Sequence, residues 1–254
     1  MKQVCWILAL IWSTAYAGES VWLYDTSNRQ AELDRDSQQV RAIASITKIM
    51  TAMVALEHDT DLDRKLSLSR LTGSYLPGRA YTRGELFDAM LVKSDNAAAE
   101  TLAGDYPGGR AQFIQAMNHR AQVLGLTHTS FRDASGLDHR NLSTAREVGE
   151  LIRVGGEYAV IREASRKHQI LIETTYRKRV RVIELAHTNR NLLFEFDNII
   201  ASKTGLTSAA GWCVALLVQQ ADREYVIVVL GSRTKQARLD TVKHIMYNHV
   251  RPSS

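Results

Sequence analysis

Three short polar clusters stand out against apolar surroundings in this chain. The first is Ser45-Ile46-Thr47-Lys48. Lys48 is the only charged residue between Ala42 and Leu56, and the rest of that stretch is apolar, small or hydroxyl-bearing. Such a segment predicts a buried helix, and burial disfavours an ammonium, drawing its pKa toward the range of a general base. Ser45 lies three residues earlier, one helical turn away on the same face. A hydroxyl beside an amine base is an activated nucleophile. Its place at the predicted helix start adds free backbone N–H groups, suited to half of an oxyanion hole. Taken alone, the same spelling also describes a helix-capping serine followed by a lysine that reaches out to solvent.

The second cluster, Ser94-Asp95-Asn96, falls between two predicted helices, where its side chains project from the junction. Alone it reads equally as a helix cap. The third, Lys203-Thr204-Gly205, ends the apolar run Ile199-Ile200-Ala201-Ser202 and precedes Leu206. Glycine lets another backbone approach a strand closely, and Lys and Thr on its edge suit a substrate carboxylate; alone it is a strand ending in a basic turn. Together, in this order and these contexts, the three form the Ser-x-x-Lys, Ser-x-Asn, Lys-Thr-Gly set of serine acyl-enzymes.

The elements that must position these clusters follow from periodicity. Residues 21–24 read as a strand, with a second near 39–43; residues 44–58 read as a helix. Further helices are predicted over 83–93, 95–104, 110–124 and 144–154. Strands return at 168–173, 179–183, 199–203, 212–218 and 225–230, the last two joined by a turn at 220–223, and 234–250 closes as a helix. Strands at both ends around a helical middle predict an α/β (α+β) fold. One antiparallel sheet is flanked by helices and carries an inserted helical lobe at roughly 60–160.

Composition bounds the rest. The chain has 254 residues, 45% of them hydrophobic and 23% charged, ample for a sizeable core. Met1-Lys2, the short apolar run to Trp12 and Ala15-Tyr16-Ala17 read as a signal peptide over 1–17, cut before Gly18. That leaves a single domain over 18–254. A retained membrane anchor is the alternative, but the run is about half the roughly 20 residues a span needs. Without Cys5 the chain has one cysteine, Cys213, in an apolar run, so no internal disulfide is expected and the thiol reads as a buried hydrophobe. The net charge of +5 suits a polyanionic partner, while no Lys/Arg block with interleaved aromatics points to nucleic acid. The eight histidines are scattered, with no metal-ligand spacing.

On these motifs the chain resembles the low-molecular-weight penicillin-binding proteins, the D-alanyl-D-alanine carboxypeptidase and endopeptidase family. The likeness extends to Asp133-Ala134-Ser135-Gly136-Leu137, to His187-Thr188-Asn189-Arg190-Asn191-Leu192-Leu193 and to residues 202–213. It looks closest to the short endopeptidase branch, the penicillin-binding protein 7 type; the second β-rich domain and C-terminal amphipathic anchor of the larger carboxypeptidases are expected to be absent. The resemblance implies a serine β-lactamase/transpeptidase-like fold and a periplasmic hydrolase acting on peptidoglycan stem peptides. β-Lactams are the implied covalent inhibitors, with no cofactor or metal, no nucleic acid and no integral membrane segment after signal cleavage. It implies Ser45 as nucleophile, Lys48 as its base and Ser94 in proton relay. Asn96 would hold the substrate amide, Lys203 and Thr204 its carboxylate, and the N–H groups of Ser45 and Leu206 beyond Gly205 would form the oxyanion hole.

Three other readings stay in view. The alternative within the family is a carboxypeptidase trimming pentapeptides. A β-lactamase of class A needs a Glu-x-x-Asn segment well upstream of Lys-Thr-Gly; Glu195-Phe196-Asp197-Asn198 has the spelling but lies too close to Lys203. A non-catalytic wall-binding scaffold would not require all the motif residues to be present.

Overall fold

Alternating apolar residues near both ends of the chain build one sheet, and the segment between them supplies most of the helices. The computed structural model describes residues 18–70, 72–176 and 179–250; the expected signal segment over 1–17 lies outside the described residues. The chain opens with β1 (Ser20–Asp25), β2 (Gln30–Arg35) and β3 (Arg41–Ala42), then a 3-10 turn over Ala44–Thr47 and α1 (Lys48–His58). After β4 (Lys65–Ser67) and β5 (Ala80–Thr82) come α2 (Arg83–Val92), α3 (Asn96–Gly104) and α4 (Gly109–Val123). β6 (Leu142–Ser143), α5 (Ala145–Gly155) and α6 (Ala159–Arg166) follow, then the hairpin of β7 (Gln169–Tyr176) and β8 (Arg179–Ala186). The rest is α7 (Arg190–Glu195), β9 (Ile199–Thr207), β10 (Gly211–Gln220), β11 (Arg223–Ser232) and α8 (Lys235–Asn248).

The main sheet has five strands in the order β2-β1-β11-β10-β9, all antiparallel. Side chains of successive residues point to opposite faces of a strand, and the core divides accordingly. Val21, Leu23, Val214, Leu216, Ile227 and Val229 pack with Leu192, Leu239, Val242 and Ile245 of α7 and α8. Trp22, Ala215, Leu217, Val226 and Val228 pack on the other face with α1, α5 and the helical lobe. The antiparallel sheet between helices and the helix-rich middle agree with the expected architecture. Three strands depart from the single expected sheet: residues 39–43 contribute only the two-residue β3, paired to β6, so that the edge neighbour of β1 is β2, and β7 and β8 pair with each other as a separate hairpin. β2 is polar and almost wholly exposed, as sheet edges tend to be, so it carries no apolar alternation to read.

Helix starts are set by local side chains. Thr82 and Glu85 form a capping box at α2; Asp95, Thr144 and Thr234 accept the N3 backbone N–H of α3, α5 and α8. The lobe is tied to α1 by Arg83, which is 1% exposed. Its Nη2 donates to the carbonyls of Ala55 and Asp59 at the end of α1, at 2.8 and 2.7 Å, and its Nη1 meets Asp105 at the end of α3. One guanidinium thus satisfies helix-end carbonyls and neutralises a largely buried carboxylate.

Removing that cation leaves Asp105 with only Arg64 and the Asp59 carbonyl without the guanidinium, while the Ala55 carbonyl keeps the N–H of Asp59. Because Arg64 still pairs with Asp105, Arg83→Met is expected to lower unfolding free energy by about 1–3 kcal/mol, read by urea denaturation near neutral pH; a midpoint unchanged from the parent chain contradicts the assignment.

Candidate active site

The site is built on the start of α1. Ala44 takes a left-handed conformation, φ 48°, and turns the chain into the 3-10 turn that carries half-buried Ser45. Lys48, one turn on, is fully buried. Its Nζ lies 2.8 Å from Ser45 Oγ, 2.8 Å from Asn96 Oδ1 and 2.6 Å from the carbonyl of Ser135. Burial dominates its titration and pulls its pKa down to about 7, against the opposing field of Asp133, Asp95 and Glu100.

The three contacts differ in kind. An ammonium donates to all three acceptors. Once it loses a proton, the Ser135 carbonyl and Asn96 Oδ1 still only accept, so the amine's two hydrogens stay with them. The freed lone pair then faces Ser45, the one neighbour with a proton to give. The arrangement is that of a hydroxyl nucleophile and its amine base.

Two glycines bring backbone against the Ala44–Ser45 peptide. Gly136 has φ 84°, and a Cβ there would sit 2.0 Å from the Ala44 carbonyl oxygen. Gly205 leaves room for a Cβ only 2.8 Å from the Ile43 carbonyl oxygen and 3.3 Å from the Ser45 nitrogen. This is the close approach that the Lys-Thr-Gly spelling predicts, and it sets β9, with half-exposed Leu206, beside the nucleophile.

The α2–α3 junction and β9 meet at a second lysine. Ser94 sits at φ 66° because Asp95 is pinned as a cap: its carboxylate accepts from Ala98 N at 2.8 Å, and from Ser74 Oγ and Tyr75 N at 2.7 Å each. Ser94 Oγ accepts from Lys203 Nζ at 3.0 Å. Lys203 is fully buried, and burial, with Lys48 and Arg238 nearby, holds it well below the ordinary lysine pKa. Thr204 Oγ1 donates to Thr188 Oγ1 at 2.8 Å. His187, buried beside Lys203, is pushed down to about 3 and stays neutral, with Nδ1 accepting from Asn189 N.

All eight residues singled out in the sequence, Ser45, Lys48, Ser94, Asn96, Lys203, Thr204, Gly205 and Leu206, therefore belong to one neighbourhood. Others had no role in that reading. The Ser135 carbonyl carries no side-chain signature. Arg238 is 2% exposed, donates to the Cys213 carbonyl at 3.3 Å and has an Nε with no partner. Its signal was present: it falls on the apolar stripe of Val242, Ile245 and Met246, where a charge is out of place. Cys213 is buried and its thiol is pushed up to about 11, so it is no nucleophile. Glu195 lies away from Ser45, bound to Lys243 at 2.6 Å and Tyr247 at 2.7 Å on the α8 side of the sheet.

The chain is similar to known proteins in both sequence and structure. A D-alanyl-D-alanine endopeptidase of Escherichia coli (strain K12) is 32% identical over 224 residues, covering 85% of this chain and 72% of its own. A D-alanyl-D-alanine carboxypeptidase of the same organism is 31% identical over 226 residues, covering 80% of this chain and 54% of its own. Among solved structures, penicillin-binding protein D2 of Listeria monocytogenes, in its cefotaxime-bound form, superposes with a TM-score of 0.77 at 28% identity, covering 90% of this chain and 95% of its own. The family model described as D-alanyl-D-alanine carboxypeptidase matches residues 14–234. The chain belongs to that family of penicillin-binding serine peptidases.

Proposed function

We propose that this chain is a periplasmic D-alanyl-D-alanine endopeptidase that opens peptidoglycan cross-links through an acyl-enzyme on Ser45. The observation that carries the chemistry is the contact of buried Lys48 Nζ with Ser45 Oγ at 2.8 Å, the amine being held also by Asn96 Oδ1 and the Ser135 carbonyl. The endopeptidase preference rests on the 32% identical relative of that name; trimming of a terminal D-alanine is the second reading, supported by the 31% identical carboxypeptidase. Residues 18–254 would act as one peptidase domain with its helical lobe at roughly 60–160, exported by the segment over 1–17.

In this mechanism neutral Lys48 takes the Ser45 proton as Oγ attacks the D-alanyl carbonyl. The backbone N–H groups of Ser45 and Leu206 stabilise the resulting oxyanion. Ser94, hydrogen-bonded to Lys203, relays a proton to the leaving amine as the intermediate collapses. Water then releases the acyl group by the reverse path. Asn96 orients the substrate amide. Lys203 and Thr204 take a substrate carboxylate, with the buried charge of Arg238 adding to the positive potential behind them. A β-lactam presents a strained amide and a carboxylate in the same relation, so it acylates Ser45 and remains there. Cefotaxime bound to the Listeria protein supports that reading.

Brief exposure to benzylpenicillin is expected to leave a persistent mass adduct mapping to Ser45, absent in Ser45→Ala. No adduct with intact drug contradicts an acyl-enzyme, and no adduct with destroyed drug indicates a β-lactamase. Purified cross-linked muropeptide dimers should be split to monomers faster than pentapeptides lose D-alanine; the opposite ratio favours the carboxypeptidase reading. Because the neutral amine is the working form, acylation should rise with pH through an inflection near 7. Lys48→Ala should lower acylation by about 10²–10⁴-fold with an unchanged circular dichroism spectrum. Lys203→Ala should slow acylation most for carboxylate-bearing substrates, and an equal loss with a carboxyl-amidated analogue rules out its carboxylate role.

A further inference from the structure

The Ser135–Gly136 peptide unit joins Lys48 to a buried acid. Its carbonyl accepts from Lys48 Nζ at 2.6 Å, and its N–H donates to Asp133 Oδ1 at 2.6 Å. A peptide with a cation at its oxygen and an anion at its N–H is polarised from both ends, and hydrogen bonds in such a chain strengthen one another. Asp133 is 6% exposed. Its other carboxylate contacts are Asp138 N at 2.7 Å and Asn141 Nδ2 at 2.8 Å, so it has hydrogen bonds but no Lys or Arg partner among the described residues.

The loop is fixed to α1 on either side of the lysine. Asn141 Nδ2 reaches Thr47 Oγ1 at 3.0 Å, and Thr51 Oγ1 donates to the Ala134 carbonyl at 2.7 Å. With Gly136 packed on the Ala44 carbonyl, the peptide has little freedom to turn away.

We propose that Asp133 is a positioning residue for the general base, acting on Lys48 through the Ser135–Gly136 peptide. Its charge favours the protonated amine, and its hydrogen bond aims the carbonyl that holds one amine hydrogen when Lys48 accepts the serine proton. The inference rests on the acyl-enzyme reading above. The other charged groups bearing on Lys48 do different work. Glu100 is paired to Arg110 at 2.6 Å, Asp95 is occupied by the α3 cap and the Ser74–Tyr75 strap, and Lys203 across the cleft has the same sign as Lys48. Of the acids that oppose the loss of Lys48's charge, Asp133 contributes most.

The test is the pH profile of benzylpenicillin acylation in the full chain and in Asp133→Asn, which keeps an acceptor for Gly136 N but removes the charge. Loss of an anion weakens the ammonium, so the acid limb should move down by about one pH unit, with a lower plateau from the loosened carbonyl. A role confined to folding would lower the melting temperature and the plateau and leave the limb in place, which overturns the proposal. Should Asp133→Asn fail to fold, the parent protein still decides the matter. With 13C-labelled aspartate, the Asp133 carboxyl resonance should show an inflection at the pH of the acylation limb, and this should vanish in Lys48→Ala. A flat resonance through that pH overturns it equally. Failure of the parent chain to acylate at any pH overturns the acyl-enzyme reading itself.

Discussion

Burying the ammonium of Lys48 is the constraint around which the rest is arranged. An isolated buried charge is far more costly than a well-paired one, and three segments distant in sequence converge to satisfy it: Ser45 ahead of α1, Asn96 at the start of α3, and the Ser135 carbonyl. Each imposes its own requirement. Ser45 needs the left-handed turn at Ala44, Asn96 needs Asp95 as a cap, and the carbonyl needs a glycine at 136 where a side chain would strike Ala44. The pocket is dry enough to weaken the charge and polar enough to hold it, which keeps the amine near the point of giving up its proton.

The second lysine deepens this electrostatic setting. Lys203 lies within the fields of both Lys48 and Arg238, which add to burial in disfavouring its charge. His187 stays neutral beside them. Such a concentration of cations is unfavourable by itself and is relieved by an anion entering the cleft. Substrate binding and the tuning of the base are therefore parts of one electrostatic problem.

What the sequence made legible was local. Ser45, Lys48, Ser94 and Asn96 were readable because each sits at the start of a helix or the junction before it, where residue type and spacing announce geometry; Lys203 was readable as a charge following an apolar run, although β9 continues past it to Thr207. The third acceptor on Lys48 was hidden because it is a backbone carbonyl, common to every residue. Arg238 was legible only as a charge on the apolar stripe of α8, a signal that gives burial but no partner. In the fold, strands with apolar alternation were found within a residue or two of their ends at β1, β10 and β11. β2, exposed at the sheet edge, had no such pattern. The short α6 and α7 lack the several turns that make a helical period visible. The adjacency of β1 to β11 follows from no local pattern, since it depends on which distant strand completes the sheet.

That adjacency has a consequence for how the chain acquires its structure. β11 lies between β1 and β10, with Ser20 opposite Leu230 and Trp212 opposite Ser232. The strand made last among the five is the one that unites the first pair with the other two. High sequence separation between pairing residues slows folding, and here it makes closure of the sheet a late event during synthesis. Until β11 is inserted, β9 has no completed platform to hold Lys203 and Gly205 against Ser45. A nascent chain can build its helices early, but it becomes chemically competent only when its two ends meet.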